Sequence, residues 1–180
     1  MKKYIALLVC CLTILNLKAQ ETSISVAKSQ FKINILSPGV TYEYGVSNTT
    51  TLCTNLNLSV GFSSNNNSGP KWLFSPYLRE EYRYYYNLEK RNLKGKISSR
   101  NSGNFIALNG SYYLKPISNA DFVSIYDGFT IAPTWGLQRT YGNGINISLI
   151  TGIGYNFGTD YNKSNFVPVV NFTLGWVIGK

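Results

Sequence analysis

WLFSPYLREEYRYYYNL, residues 72–88, separates into two surfaces when it is read with a period of two. The even positions carry Trp72, Phe74, Pro76, Leu78, Glu80, Tyr82, Tyr84, Tyr86 and Leu88. The odd positions carry Leu73, Ser75, Tyr77, Arg79, Glu81, Arg83, Tyr85 and Asn87. Successive strand side chains point to opposite faces, so the stretch spells a strand with one largely aromatic face and one charged or polar face. Its length is far beyond the roughly five or six residues of an ordinary strand.

Alternation of the same kind runs through the chain on either side. Phe31, Ile33 and Ile35 alternate with Lys32 and Asn34 up to Ser37-Pro38-Gly39. Val40, Tyr42, Tyr44 and Val46 alternate with Thr41, Glu43, Gly45 and Ser47. Later segments repeat the pattern, separated by Gly, Asn, Ser and Pro, and helical periodicity is almost absent. The predicted strands are 30–37, 39–47, 50–63, 72–89, 103–115, 128–141, 144–158 and 165–179. The Pro38-Gly39 break makes the count eight rather than seven. Tyr141-Gly142-Asn143-Gly144 is a hairpin signal.

The character of the polar face decides the class. Soluble sheets carry Lys and Glu on their wet side; here that side is mostly Gly, Ser, Thr, Asn and Ala. Small polar residues opposite a continuous Leu, Ile, Val, Phe, Tyr and Trp face fit an inverted protein, apolar toward lipid and polar toward a narrow lumen. A sheet in lipid has to close, because unpaired edge groups find no water there. The expected fold is therefore all-β, a closed antiparallel up-and-down transmembrane β-barrel of eight strands. The alternative is a soluble exported β-barrel that binds a hydrophobic ligand in an apolar interior.

Met1 to Gln20, MKKYIALLVCCLTILNLKAQ, pairs Lys2 and Lys3 with an apolar run from Tyr4 to Leu17 and a small residue at Ala19. This is the pattern of a cleaved export signal over 1–19, leaving one domain over 20–180. Loss of Lys2, Lys3 and Lys18 takes the formal net charge from +9 to +6, and of three cysteines only Cys53 remains. No internal disulfide is then available.

The chain resembles small eight-stranded outer-membrane β-barrel proteins, especially uncharacterised barrel families of the Bacteroidota. The resemblance is carried by Pro76 to Arg91 (PYLREEYRYYYNLEKR), Lys94-Gly95-Lys96, Asn101-Ser102-Gly103-Asn104 and Pro133 to Arg139 (PTWGLQR). Phe172, Leu174, Trp176 and Ile178 resemble the C-terminal signal read by barrel-assembly machinery. The resemblance implies the cell outer membrane as location, with outer-membrane lipid and lipopolysaccharide as surroundings. It implies no agreed activity.

Candidate chemistry is sparse. There is no histidine, the side chain best suited to proton transfer near neutral pH. Neither a G-x-S-x-G elbow nor a metal-ligand cluster is visible, so no catalytic, cofactor or metal site is expected. Asp121, Asp127 and Asp160 read as solvated outer-loop residues, with calcium binding as the alternative. Nucleic acid is not an expected partner of an exported protein. The charges on the lumen face are Lys32, Glu43, Arg79, Glu81, Arg83 and Lys115, with Glu89 near the inner mouth. Charges inside a membrane structure pair with one another, and Arg suits carboxylate. Glu43, Arg79, Glu81 and Arg83 are therefore expected to form a network. One reading makes it a fixed plug in a non-enzymatic barrel with a structural or surface-interaction role. The other makes it the gate of a small channel or passive transporter, opened by re-pairing Arg79 or Arg83 between Glu43 and Glu81. Glu80 falls on the apolar face mid-strand, near the outer interface if the membrane span covers about Leu78 to Leu88, and Arg139 falls on it near the inner end of its strand, where it can snorkel. The basic run Lys90, Arg91, Lys94, Lys96 and Arg100 is expected to be a solvated connection, or a contact for anionic head groups or an acidic partner.

Overall fold

Alternation becomes closure in the three-dimensional arrangement. The computed structural model describes residues 24–65, 69–114, 117–118, 128–157 and 165–178. The predicted signal segment and Lys115, Asp121, Asp127 and Asp160 lie outside the described residues. In order come β1 (Ser29–Leu36), β2 (Gly39–Gly45), β3 (Thr50–Asn65), β4 (Gly69–Tyr85), α1 (Leu88–Leu93), β5 (Asn104–Tyr113), β6 (Ile117–Ser118), β7 (Gly128–Tyr141), β8 (Ile145–Asn156) and β9 (Phe166–Ile178).

Eight of these strands pair antiparallel, each with its neighbours in sequence, and β9 pairs with β1 to complete a ring. Pairing can be followed around it from Phe31 through Tyr42, Thr54, Glu80, Gly110, Ile131 and Tyr155 to Phe166. The β9 residue actually opposite Phe31 is Ile178, twelve positions beyond Phe166. That offset is the stagger a sheet must take to close, and it tilts the strands against the ring axis. The break at Ser37-Pro38 is a true turn, with Ser37 left-handed at φ 57°, so the count of eight stands.

The 72–88 stretch obeys its period. Trp72, Phe74, Leu78, Tyr82, Tyr84 and Tyr86 are exposed, whereas Ser75, Tyr77, Arg79, Glu81, Arg83 and Tyr85 are buried. Throughout the ring the outward face is apolar and the interior is polar. Gln30, Asn34, Thr41, Asn55, Asn57, Asn109, Thr134, Gln138 and Asn146 are all buried inside, while Ile33, Leu56, Leu78, Leu108 and Ile153 are exposed.

Four boundaries differ from the sequence reading. The long strand stops at Tyr85 rather than near 89, because Asn87 turns its Oδ1 to accept the Asn104 backbone N–H at 2.7 Å and the chain enters α1. The connection 90–102 is not wholly a solvated loop. Asn101 and Ser102 are buried, with Asn101 Oδ1 accepting from Ala27 N and Ser102 Oγ from Thr140 N. The 64–71 loop shrinks, since β3 and β4 stay paired out to Asn65 and Gly69. Within the segment read as a loop over 116–127, Ile117 and Ser118 pair with Phe74 and Leu73.

One end of the interior is closed by a small apolar group: Val26, Tyr85, Leu88, Phe105, Ala107 and Ile150. Gly136 faces it from β7, and the Phe105 ring occupies the space a side chain there would need. A Cβ would also lie 3.0 Å from Ile150 Cγ2. Gly136→Ala is therefore expected to cost about 1–3 kcal/mol by overpacking. Adding Phe105→Leu should recover part of that loss. Urea unfolding midpoints followed by tryptophan fluorescence check both, and an unchanged midpoint for Gly136→Ala would contradict the packing described.

Candidate functional site

The interior charges converge on Glu43, which is fully buried. Its Oε2 lies 2.6 Å from Lys32 Nζ on β1 and 3.7 Å from Arg83 Nη1 on β4. Its Oε1 accepts hydrogen bonds from Thr51 Oγ1 at 2.8 Å and from Tyr85 Oη at 2.7 Å. Glu81, also fully buried, accepts from Arg83 Nε at 2.9 Å and from Asn55 Nδ2 at 3.2 Å, and lies 3.1 Å from Arg79 Nε. The four residues singled out in the sequence are thus brought together. Lys32 joins them as a fifth, and the order Lys32–Glu43–Arg83–Glu81–Arg79 alternates in sign along one wall of the interior.

The arrangement follows from register. Arg79, Glu81 and Arg83 share the inward face of β4 at two-residue spacing, and Glu43 and Lys32 face inward from β2 and β1. Glu81 is paired across the ladder with Cys53, a small buried residue that leaves room for the guanidinium groups on either side.

Two participants escape a search for charges. Gln138, on the inward face of β7, accepts from Lys32 Nζ at 2.7 Å and from Arg83 Nη1 at 3.1 Å through Oε1. It donates through Nε2 to Glu43 at 3.3 Å. Phe105 lies beneath the Arg83 guanidinium, 4.5 Å from its ring centre, and gives that cation an apolar, quadrupolar support. The signal for Gln138 was present, since it occupies an even position of an alternating strand. Phe105 is an inward aromatic that composition does not distinguish from its outward relatives.

Above the charges a second ladder of neutral groups crosses the ring. Asn34 Nδ2 donates to Thr41 and to Asn57, and Thr41 donates to Asn55. Asn57 and Asn171 both donate to Tyr77 Oη, and Arg79 Nη2 donates to Asn171 at 2.9 Å. A void of about 10 Å³ remains among the charged groups, about the size of one water. Among the described residues no three His, Cys, Asp or Glu side chains gather as a metal site.

The two outward charges are accommodated at neighbouring polar atoms. Glu80 accepts from Thr54 Oγ1 at 3.0 Å. Arg139 donates to the Gly103 carbonyl at 2.7 Å and to Asn104 Oδ1 at 2.5 Å. Glu89 is exposed on α1, outside the interior.

Removal of one partner from the buried charge series strands the others. Glu43→Gln is expected to cost about 3–5 kcal/mol, because Lys32 and Arg83 lose their shared counter-charge in a buried place. Replacing Lys32 and Glu43 together by Met and Leu should cost less than Glu43→Gln alone. A double-mutant cycle on unfolding free energies checks this, and additive losses would contradict the coupling.

No family model matches the chain, and no curated protein or solved structure is significantly similar to it.

Proposed function

We propose that the protein is a non-enzymatic, integral outer-membrane β-barrel whose polar lumen is plugged by its own side chains, with a structural or surface-interaction role. The observation that carries this reading is the inversion of polarity: five charged side chains are buried inside while the outward face exposes Leu, Ile, Val, Phe, Tyr and Trp along every long strand. Soluble monomers rarely expose an apolar patch larger than a few hundred Å². A continuous apolar belt calls for an apolar surrounding.

The distribution of aromatics supports the same reading. On β4, Trp72 and Phe74 lie toward one end and Tyr82 and Tyr84 toward the other, with Leu78 between. β7 carries Phe129 at one end and Trp135 and Tyr141 toward the other, with Ile131 between. Phe129, Tyr155, Phe157 and Phe166 cluster at one rim. Near the other rim the Trp135 indole N–H donates to Tyr86 Oη at 2.8 Å. Two aromatic girdles around an aliphatic middle are the outer-face pattern of a membrane barrel. Phe74 to Tyr84 spans roughly 33 Å of strand, or about 23 Å along the axis at a tilt near 45°. That is close to the roughly 25 Å apolar band of such barrels. Lipid and lipopolysaccharide are then the surroundings, and barrel-assembly machinery is the partner during biogenesis.

The plug is favoured over a gate because Arg83 touches Glu43 and Glu81 at once, while Lys32 and Gln138 also bind Glu43. Re-pairing would have to break several buried contacts together.

Three measurements test this. The protein should sediment with envelopes, need detergent for release, and run faster on an unboiled gel than after boiling; release in soluble form without detergent would sink the reading. Leu56→Arg, outward and mid-strand, should cost about 2–4 kcal/mol when refolding into lipid vesicles. A surface change facing water would stay within about 0.5 kcal/mol. In planar bilayers the wild type should show no unitary conductance; events altered by Glu81→Ala would favour the gate instead.

A further inference from the structure

The buried charges do not balance. Lys32, Arg79 and Arg83 are three cations, each no more than 5% exposed, against only Glu43 and Glu81 among the described residues. Four of the five make hydrogen bonds within the series; Arg79, at one end, is ion-paired with Glu81 without one. Its Nε lies 3.1 Å from Glu81 Oε1 but is misaligned, so it makes no hydrogen bond and counts as an unpartnered buried donor. The guanidinium makes one hydrogen bond among the described residues, from Nη2 to Asn171. Tyr77 covers it with a ring face whose centre is 5.2 Å away.

Arg79 also divides the interior. On one side lies the water-sized void among the charges, and on the other a cavity of about 80 Å³. The larger cavity is lined by Arg79, Ser111, Tyr113, Thr130 and Asn171, with Val167 and Val169 forming an apolar wall. An excess buried cation bordering open space, with hydroxyl and amide groups around it, describes an anion site. The planar fork of Arg matches two oxygens of one carboxylate, and the valine wall suits a short alkyl stub.

We propose that this cavity binds a small carboxylate, held by Arg79 and Asn171, with Ser111, Thr130 and Tyr113 around it and Val167 against its alkyl end. The site rests on the interior geometry and does not depend on what meets the outer face.

The probe is acetate, with acetamide as its neutral isostere. Labelled full-length protein in detergent micelles is titrated with sodium acetate, ionic strength being held constant by sodium chloride, and the Arg Nε–Hε resonances are followed. Acetate should give a saturable shift of the Arg79 resonance, assigned by its loss in Arg79→Gln, and acetamide should give none. Val167→Phe fills the cavity and leaves the Arg79–Glu81 pair in place; it should weaken the half-saturation point at least about tenfold. A shift linear in acetate, an equal shift with acetamide, or no shift against chloride would overturn the proposal. So would unweakened binding in Val167→Phe. Should that variant not fold, the wild-type comparison of acetate with acetamide decides alone.

Discussion

One buried carboxylate ties five strands of the ring together. Glu43 sits on β2, and its two oxygens gather Lys32 from β1, Thr51 from β3, Tyr85 and Arg83 from β4, and Gln138 from β7. A conventional core holds its elements together by burying apolar surface against itself. This interior has little to bury: apart from the group around Leu88 and Phe105 and scattered residues such as Tyr77, Ala132, Val167 and Val177, it is mostly amides, hydroxyls and charges. Backbone pairing fixes each strand to its two neighbours, but it does not fix the shape of the ring's cross-section. Contacts from Glu43 reach across the ring as far as β7, and thereby brace it.

Such bracing works only if every polar group inside is satisfied, since an unpaired buried donor costs about 1–3 kcal/mol. Most are. The exceptions among the described residues are Gln30, Asn101 Nδ2, Asn109 Nδ2 and Arg79 Nε. Asn109 lies directly across the β4–β5 ladder from Glu81, beside the charged series. Its Oδ1 accepts from Ser111 Oγ, and only its Nδ2 is left without a partner. Arg79 differs in carrying a full charge, and it borders the larger space.

The fold was legible because period-two alternation is a local signal that needs no knowledge of partners. Arg79, Glu81 and Arg83 could be placed on one face of β4, and Glu43 and Lys32 on matching faces, from spacing alone. Closure was inferred from polarity and is borne out by β1–β9 pairing. What escaped was set by tertiary context. Leu88 continues the outward parity of the 72–88 stretch, yet it is buried, because the Asn87–Asn104 contact ends the strand three residues earlier. Asn101 and Ser102 look like loop residues; their burial comes from partners on the N-terminal segment and on β7, which no local pattern announces. Gln138 has no charge to draw notice, though it touches three charged groups.

Buried ion pairs add little to net stability, since desolvation offsets most of their attraction. Their value here lies in register. Slipping β4 by one position against β3 would turn Arg79, Glu81 and Arg83 outward and bring Leu78, Tyr82 and Tyr84 into the interior. A slip of two preserves parity and keeps Arg79, Glu81 and Arg83 together on β4, but it would set a guanidinium opposite Cys53 in place of Glu81 and shift Arg83 against Glu43. An uncharged polar interior could tolerate that second error with only a few lost hydrogen bonds. Spelling the inward face as Arg-Glu-Arg makes one register out of several sterically possible ones, and so fixes where β4, the longest strand, meets β3, β5 and the rest of the ring.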